Sequence, residues 1–257
     1  MVELTTGRAR ESDNTFFVWL AAFCVLVAFA GFAPSYWLQL PAGTFIGSPL
    51  LHLHGALFSA WPVLLLSQAW LASTGRLRNH RAWGLAGISL ATALVFVGVT
   101  TAIGSLNHGL AQGYGDRSRA FVILPLSAII MFAGFFLCAI ANIKNSDAHK
   151  RYMMLATIAL LGAAMARVFF FFIMGTGPGV RPGLGPPPPL AIGLVPSLLL
   201  ELMIVAGMIY DWRRSGRPHR VWWIGLVVMT LVIVLRGPIS GTTAWLNFAE
   251  ALAHIAG

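Results

Sequence analysis

Charge is what this sequence has least of. Asp, Glu, Lys and Arg make up 10% of its 257 residues and only eight are acidic, against roughly 25% charged residues in an ordinary soluble domain. That shortage excludes a soluble enzyme. Cysteine is nearly absent too: Cys24 and Cys138 both fall within apolar blocks, where a small buried hydrophobe is the expected role and no disulfide framework is. There is no Cys-x-x-Cys-His stretch, so any haem would be bound non-covalently. With no Ser-His-Asp set, phosphate-binding glycine loop or His-Glu-x-x-His motif, hydrolytic and nucleotide-driven mechanisms have no support.

Apolar residues are abundant instead, at 58% of the chain, with a mean hydropathy of +0.78. They gather in blocks of roughly 18 to 25, the length that crosses a bilayer core of about 30 Å as a helix. Seven spans are expected: Thr15–Ala33, His54–Ala72, Trp83–Ile103, Ala120–Ile140, Tyr152–Met174, Leu190–Tyr210 and Val221–Gly237. The predicted fold is all-α, an integral membrane bundle of seven transmembrane helices arranged as one leading helix plus three helical hairpins. A C-terminal amphipathic helix follows. Residues 1–14 form a cytoplasmic tail, 15–240 the transmembrane domain and 241–257 the terminal helix.

The net charge of +9 points to a lipid bilayer surface rather than nucleic acid, because the basic residues are spread over short loops between apolar blocks. One side collects Arg8, Arg10, Arg76, Arg78, Arg81, Lys144, Lys150, Arg151, Arg213, Arg214, Arg217 and Arg220; the other has Arg117, Arg119 and Arg181. The positive-inside rule then places the N-terminus in the cytoplasm and the C-terminus outside. Ala28-Phe29-Ala30 looks like a signal-peptide cleavage site, but the long preceding segment with Glu11 and Asp13 favours an uncleaved anchor. Pro186–Pro189 cannot be helical and should stiffen an outer loop. In the tail, Asn247, Glu250 and His254 mark a polar face, so an interfacial helix is expected, with an eighth span as the alternative.

His80-Arg81, His149-Lys150-Arg151 and His219-Arg220 recur about 70 residues apart, each opening an outward-running helix. Positive charge works against the helix dipole there. Headgroup contact explains it in one reading; in the other, His supplies a haem ligand and Arg holds its propionates. The candidate cofactor residues are His54, His80, Arg81, His108, His149 and Arg151. On the outer side, His52 and His54 diverge by about 200° on a helix, and His54 is the inward one. His54, His108, Glu250 and His254 share a predicted level and have metal-compatible chemistry. Arg167 and Glu201 are ionisable groups at membrane depth, read as a buried ion pair or as part of a substrate, proton or cofactor path. Gly162–Ala166 offers a small packing face, and Phe169–Phe172 an aromatic run facing lipid, or a quinone or porphyrin edge.

The stretch PLLHLHGALFSAWPVLLLSQAWLASTGRLRNHRAWG and the later HKRYMMLATIALLGAAMAR resemble a family of uncharacterised bacterial multi-pass membrane proteins. Its marks are H-x-H-G, H-R-x-x-G and H-K-R-x-M, matched by His52, His54, Gly55, His80, Arg81, Gly84, His149, Lys150, Arg151 and Met153. That resemblance covers roughly residues 31–167 and implies a shared fold, not an activity. A looser similarity to membrane b-type cytochromes and cytochrome-oxidase assembly proteins rests on histidines near helix ends, although transmembrane cytochromes usually place paired ligands deeper.

Three functions remain open. A redox or cofactor-handling protein would use His80 with His149 as an inner pair and His54 with His108 as an outer one. These ends are about 42 Å apart along the third span if it is wholly helical, so a single haem cannot use both. A small-molecule transporter or binder would centre on Arg167 and Glu201. An accessory subunit would turn its histidines towards pigments, lipids or other subunits of a membrane complex.

Overall fold

In lipid, a helix is the form in which a single apolar segment satisfies all its own backbone groups. The computed structural model describes residues 2–173, 175 and 185–255, with side chains from residue 15 onward except Ile173, and among these it is helical without strands. The helices are α1 (Val2–Phe32), α2 (Pro49–Ser73), α3 (Leu77–Ala111), α4 (Gly115–Phe121), α5 (Ile123–Ala141), α6 (Ser146–Leu160), α7 (Gly162–Val168), α8 (Leu194–Ser215), α9 (Arg220–Ser240) and α10 (Thr243–Ile255). Short π-helical turns continue α1 over Ala33–Trp37 and α7 over Phe169–Ile173. Residues 176–184 of the expected outer loop, including Arg181, and the expected span end at Met174 lie outside the described residues, whereas Pro186–Pro189 are described and are not helical.

Among the described residues, six segments are long and apolar enough to cross a membrane. A seventh, made of α6 and α7 with the turn after α7, qualifies only when its two parts are counted together, because it is bent by 57°. Gly162 stands at the break, as glycine commonly does at a helix kink. Large apolar side chains face outward along the bundle: Trp19 is 71% exposed, and Phe96 and Ile130 are each 70% exposed. In water such a surface would aggregate, whereas lipid solvates it.

The interior is packed from both sequence halves. Trp61 of α2 is buried against Phe132 and Phe136 of α5, with ring centroids 5.0 and 5.7 Å away. Its indole Nε1 donates to the Thr157 hydroxyl of α6 at 3.0 Å, satisfying a polar atom that lipid could not. Glycines admit close neighbours: a side chain at Gly31 would collide with the Ala164 backbone, and one at Gly207 with the Trp222 ring. The small face expected at Gly162–Ala166 therefore does bring α7 against α1.

Helix ends differ from the sequence reading. α3 starts six residues before Trp83 and runs past Ile103, and α6 starts before Tyr152, so His80, His108 and His149 lie within helices. α10 has thirteen residues, about 20 Å, too short for an eighth span. It docks through Ala249 and Ala253 on Ala102, Leu106, Val122 and Leu126, leaving Phe248 exposed. Small residues make this contact because they allow the helix backbone to approach closely.

Candidate functional site

The polar residues collect at the two ends of the bundle. At the end bearing the basic loops, α2 turns into α3 through Gly75, whose φ of +72° suits only glycine. α5 turns into α6 through Asn145, which caps α6 by accepting a hydrogen bond from the Ala148 amide at 3.2 Å. Each turn is followed by a histidine at the fourth helical position, His80 in α3 and His149 in α6.

Each of these imidazoles reaches back across its own hairpin to a backbone carbonyl. His80 Nδ1 lies 3.3 Å from the Gln68 carbonyl oxygen and His149 Nδ1 lies 2.9 Å from that of Ala139. A carbonyl only accepts, so Nδ1 carries the proton in both rings; in the neutral tautomer this leaves the lone pair on Nε2. Metal-bound histidines are commonly oriented by such a bond at the other ring nitrogen. His149 and Arg81 both lie within electrostatic range of His80. Arg81 itself is exposed. Beside them, both the oxygen and the nitrogen of the buried Gln68 side chain lack a partner, and that oxygen approaches Gly84 on the first turns of α3.

Arg151 departs from its expected role. Its Nε donates to Asp211 Oδ2 at 2.9 Å and a terminal nitrogen to Asp211 Oδ1, while the other bonds the Asp147 carbonyl at 2.7 Å. Both the Arg151 and Asp211 side chains are buried. A guanidinium engaged in this bidentate bond has its planar fork committed and is not free to hold haem propionates.

The third histidine-basic pair also differs. His219 is the N-cap of α9: its Nδ1 accepts from the Val221 amide at 3.3 Å, and its own amide donates to Asp211 at 3.1 Å. Burial, reinforced by the nearby Arg151 charge, holds its pKa below the ordinary histidine value, while Asp211 pulls the other way.

At the opposite end the four expected metal ligands are not brought together. Glu250 of α10 binds Arg119 and lies 3.4 Å from His254, and His254 and His108 are exposed. The Arg119 hydrogen bond holds the Glu250 carboxyl below its usual pKa. His54 instead stacks on Phe58 at 4.0 Å and lies in electrostatic range of Arg167. Among the described residues no three His, Cys, Asp or Glu side chains converge as a metal-binding group. The expected Arg167–Glu201 ion pair is not formed either: Glu201 accepts from Thr230 at 2.8 Å, and Arg167 donates to the Ala163 carbonyl at 3.0 Å.

Sequence reasoning missed Asp211, Gln68 and Ser35. Asp211 was one of only eight acids, and Gln68 stands within the apolar run LLLSQAWL, the same signal that drew attention to Arg167. Ser35 gave no signal, because a lone serine is unremarkable until its hydroxyl is found buried. No protein-family model, curated protein or solved structure matches the chain.

Proposed function

We propose that this is a redox or cofactor-handling membrane protein whose His80–His149 pair ligates a metal centre. The observation that carries this reading is the matched anchoring of the two imidazoles. Both sit at the fourth position of a helix, and both are tied through Nδ1 to a carbonyl of the preceding helix, which leaves Nε2 as the nitrogen with the lone pair. Two neutral imidazoles suit a transition-metal ion or the iron of non-covalent haem b, and the latter would supply one-electron chemistry. Arg81 is the remaining candidate partner for an anionic group on the cofactor, since Arg151 is engaged elsewhere. The unpartnered Gln68 amide offers one donor and one acceptor to a bound group or water.

The reading rests on seven spans, with the bent α6–α7 segment crossing once and three hairpins following a leading helix. It also takes the basic loops as cytoplasmic, in a bacterial inner membrane, as in the family that the motifs resemble. A membrane quinone or a neighbouring subunit would then be the electron partner.

The test is a visible spectrum and elemental analysis of full-length protein purified from its own membranes. The expected result is a Soret band, or iron, copper or zinc near one per chain, lost in both His80→Ala and His149→Ala. Absence of both signals from the wild-type protein overturns the reading.

A further inference from the structure

The second polar cluster lies at the other end of the bundle and is built by the bend between α6 and α7. That bend turns α7 onto α1, where Gly31 leaves room for the Ala164 backbone. The approach carries Arg167 over the face of Phe32, 4.5 Å from the ring centre, and within electrostatic range of His54 on α2. Ser35 sits in the π turn between Phe32, which underlies Arg167, and Tyr36, whose ring packs against Gly55 beside His54.

Three polar atoms on these residues are buried without a hydrogen-bond partner among the described residues: Arg167 Nε, His54 Nδ1 and Ser35 Oγ. Among the described residues Arg167 hydrogen-bonds the Ala163 carbonyl and makes no ion pair. Discontinuous helices at membrane depth are tolerated where they are buried or line a cavity, and substrate sites in transporters are often made by them. A guanidinium in such a medium is costly without a counter-charge. A water molecule would satisfy the orphaned N–H but not the charge, whereas an oxyanion satisfies both.

We propose that Arg167, His54 and Ser35 form an oxyanion site at the end of the bundle opposite the basic loops. Its ligand is a carboxylate or phosphate oxygen. Arg167 supplies the Nε–H and the charge, His54 donates through Nδ1–H, and the Ser35 hydroxyl donates as a third arm. The anion is either free in solution or carried by a lipid headgroup, and both present the same oxygen chemistry. This site is independent of the His80–His149 pair and stands or falls separately.

The test is titration of the full chain in dodecyl maltoside with inorganic phosphate, with acetate and with short-chain phosphatidylglycerol, following tryptophan fluorescence and thermal stability. Saturable binding of at least one probe is expected, weakened at least tenfold by Arg167→Gln and several-fold by His54→Asn and Ser35→Ala, and unchanged by Arg213→Gln, at an exposed arginine among the basic loops. Binding of phosphate or acetate identifies a free anion; binding of phosphatidylglycerol alone identifies a lipid. If Arg167→Gln fails to fold, the His54 and Ser35 variants decide. The proposal is overturned if no probe binds saturably, or if binding is undiminished in the variants that fold. An Arg167→Met protein that is more stable and binds as tightly as wild type also overturns it.

Discussion

The α2–α3 and α5–α6 hairpins and the α8–α9 hairpin carry the same signature, a histidine followed by a basic residue, yet use it in two ways. In the first two, histidine sits one turn into the helix and donates Nδ1–H to the neighbouring helix. In the third, His219 stands before the first turn, and its Nδ1 accepts from a backbone amide. The proton is therefore on opposite nitrogens. The first arrangement leaves the lone pair on Nε2, as the proposed ligand role requires; the second caps a helix and ties it to Asp211. A repeat in sequence marks a repeat in architecture, but the tautomer differs among its copies.

The strongest way to break this contrast is at Asp211. It compensates the buried Arg151 and accepts from the His219 amide. Asp211→Ala should lose about 3–5 kcal/mol, as when one partner of a buried ion pair is removed, measured by thermal or denaturant unfolding in detergent. The Arg151→Met, Asp211→Leu double variant should recover most of that loss, because no uncompensated charge remains.

A smaller effect is expected where the two histidine-donating hairpins meet. Trp61→Phe removes the indole bond to Thr157 and should cost about 1 kcal/mol, with the α8–α9 hairpin unaffected in hydrogen exchange.

The smallest effect is the contribution of His219 in the third hairpin to the pH dependence of stability. The folded state holds His219 below its ordinary pKa, so the unfolded chain binds the extra proton more readily. The His219 contribution is present above about pH 6.5 and declines as pH falls towards the folded value, where protonation also removes the cap acceptor. Unfolding followed from pH 7.5 to 5.5 should show this slope in the wild type and a flatter one in His219→Asn, which keeps a capping side chain without titrating.

Much of the membrane architecture was legible in sequence because it rests on apolar length. Shortage of charge, the long blocks and the Gly162–Ala166 packing face all carried over to the helices found. Polar pairings were less legible. Arg151 and Asp211 are 60 residues apart in the chain, and no local pattern says which acid a buried arginine will meet. The bend in α6–α7 was hidden because composition does not distinguish a straight apolar helix from a broken one. With that bend in place, Arg167 lies over Phe32 and in electrostatic range of His54, while Glu201 bonds Thr230. His80 and His149 were found by their repeat, but the atom each presents depends on a carbonyl 10 or 12 residues away.

The central claim is that His80 and His149, unlike His219, are ligands. Its most direct test is cofactor content per folded chain, by visible absorption and elemental analysis, in His80→Ala, His149→Ala and His219→Ala proteins purified side by side from native membranes. The account predicts a bound haem or metal in wild type and His219→Ala, and its loss in the other two. Equal content in all three variants, or none in the wild type, would contradict it.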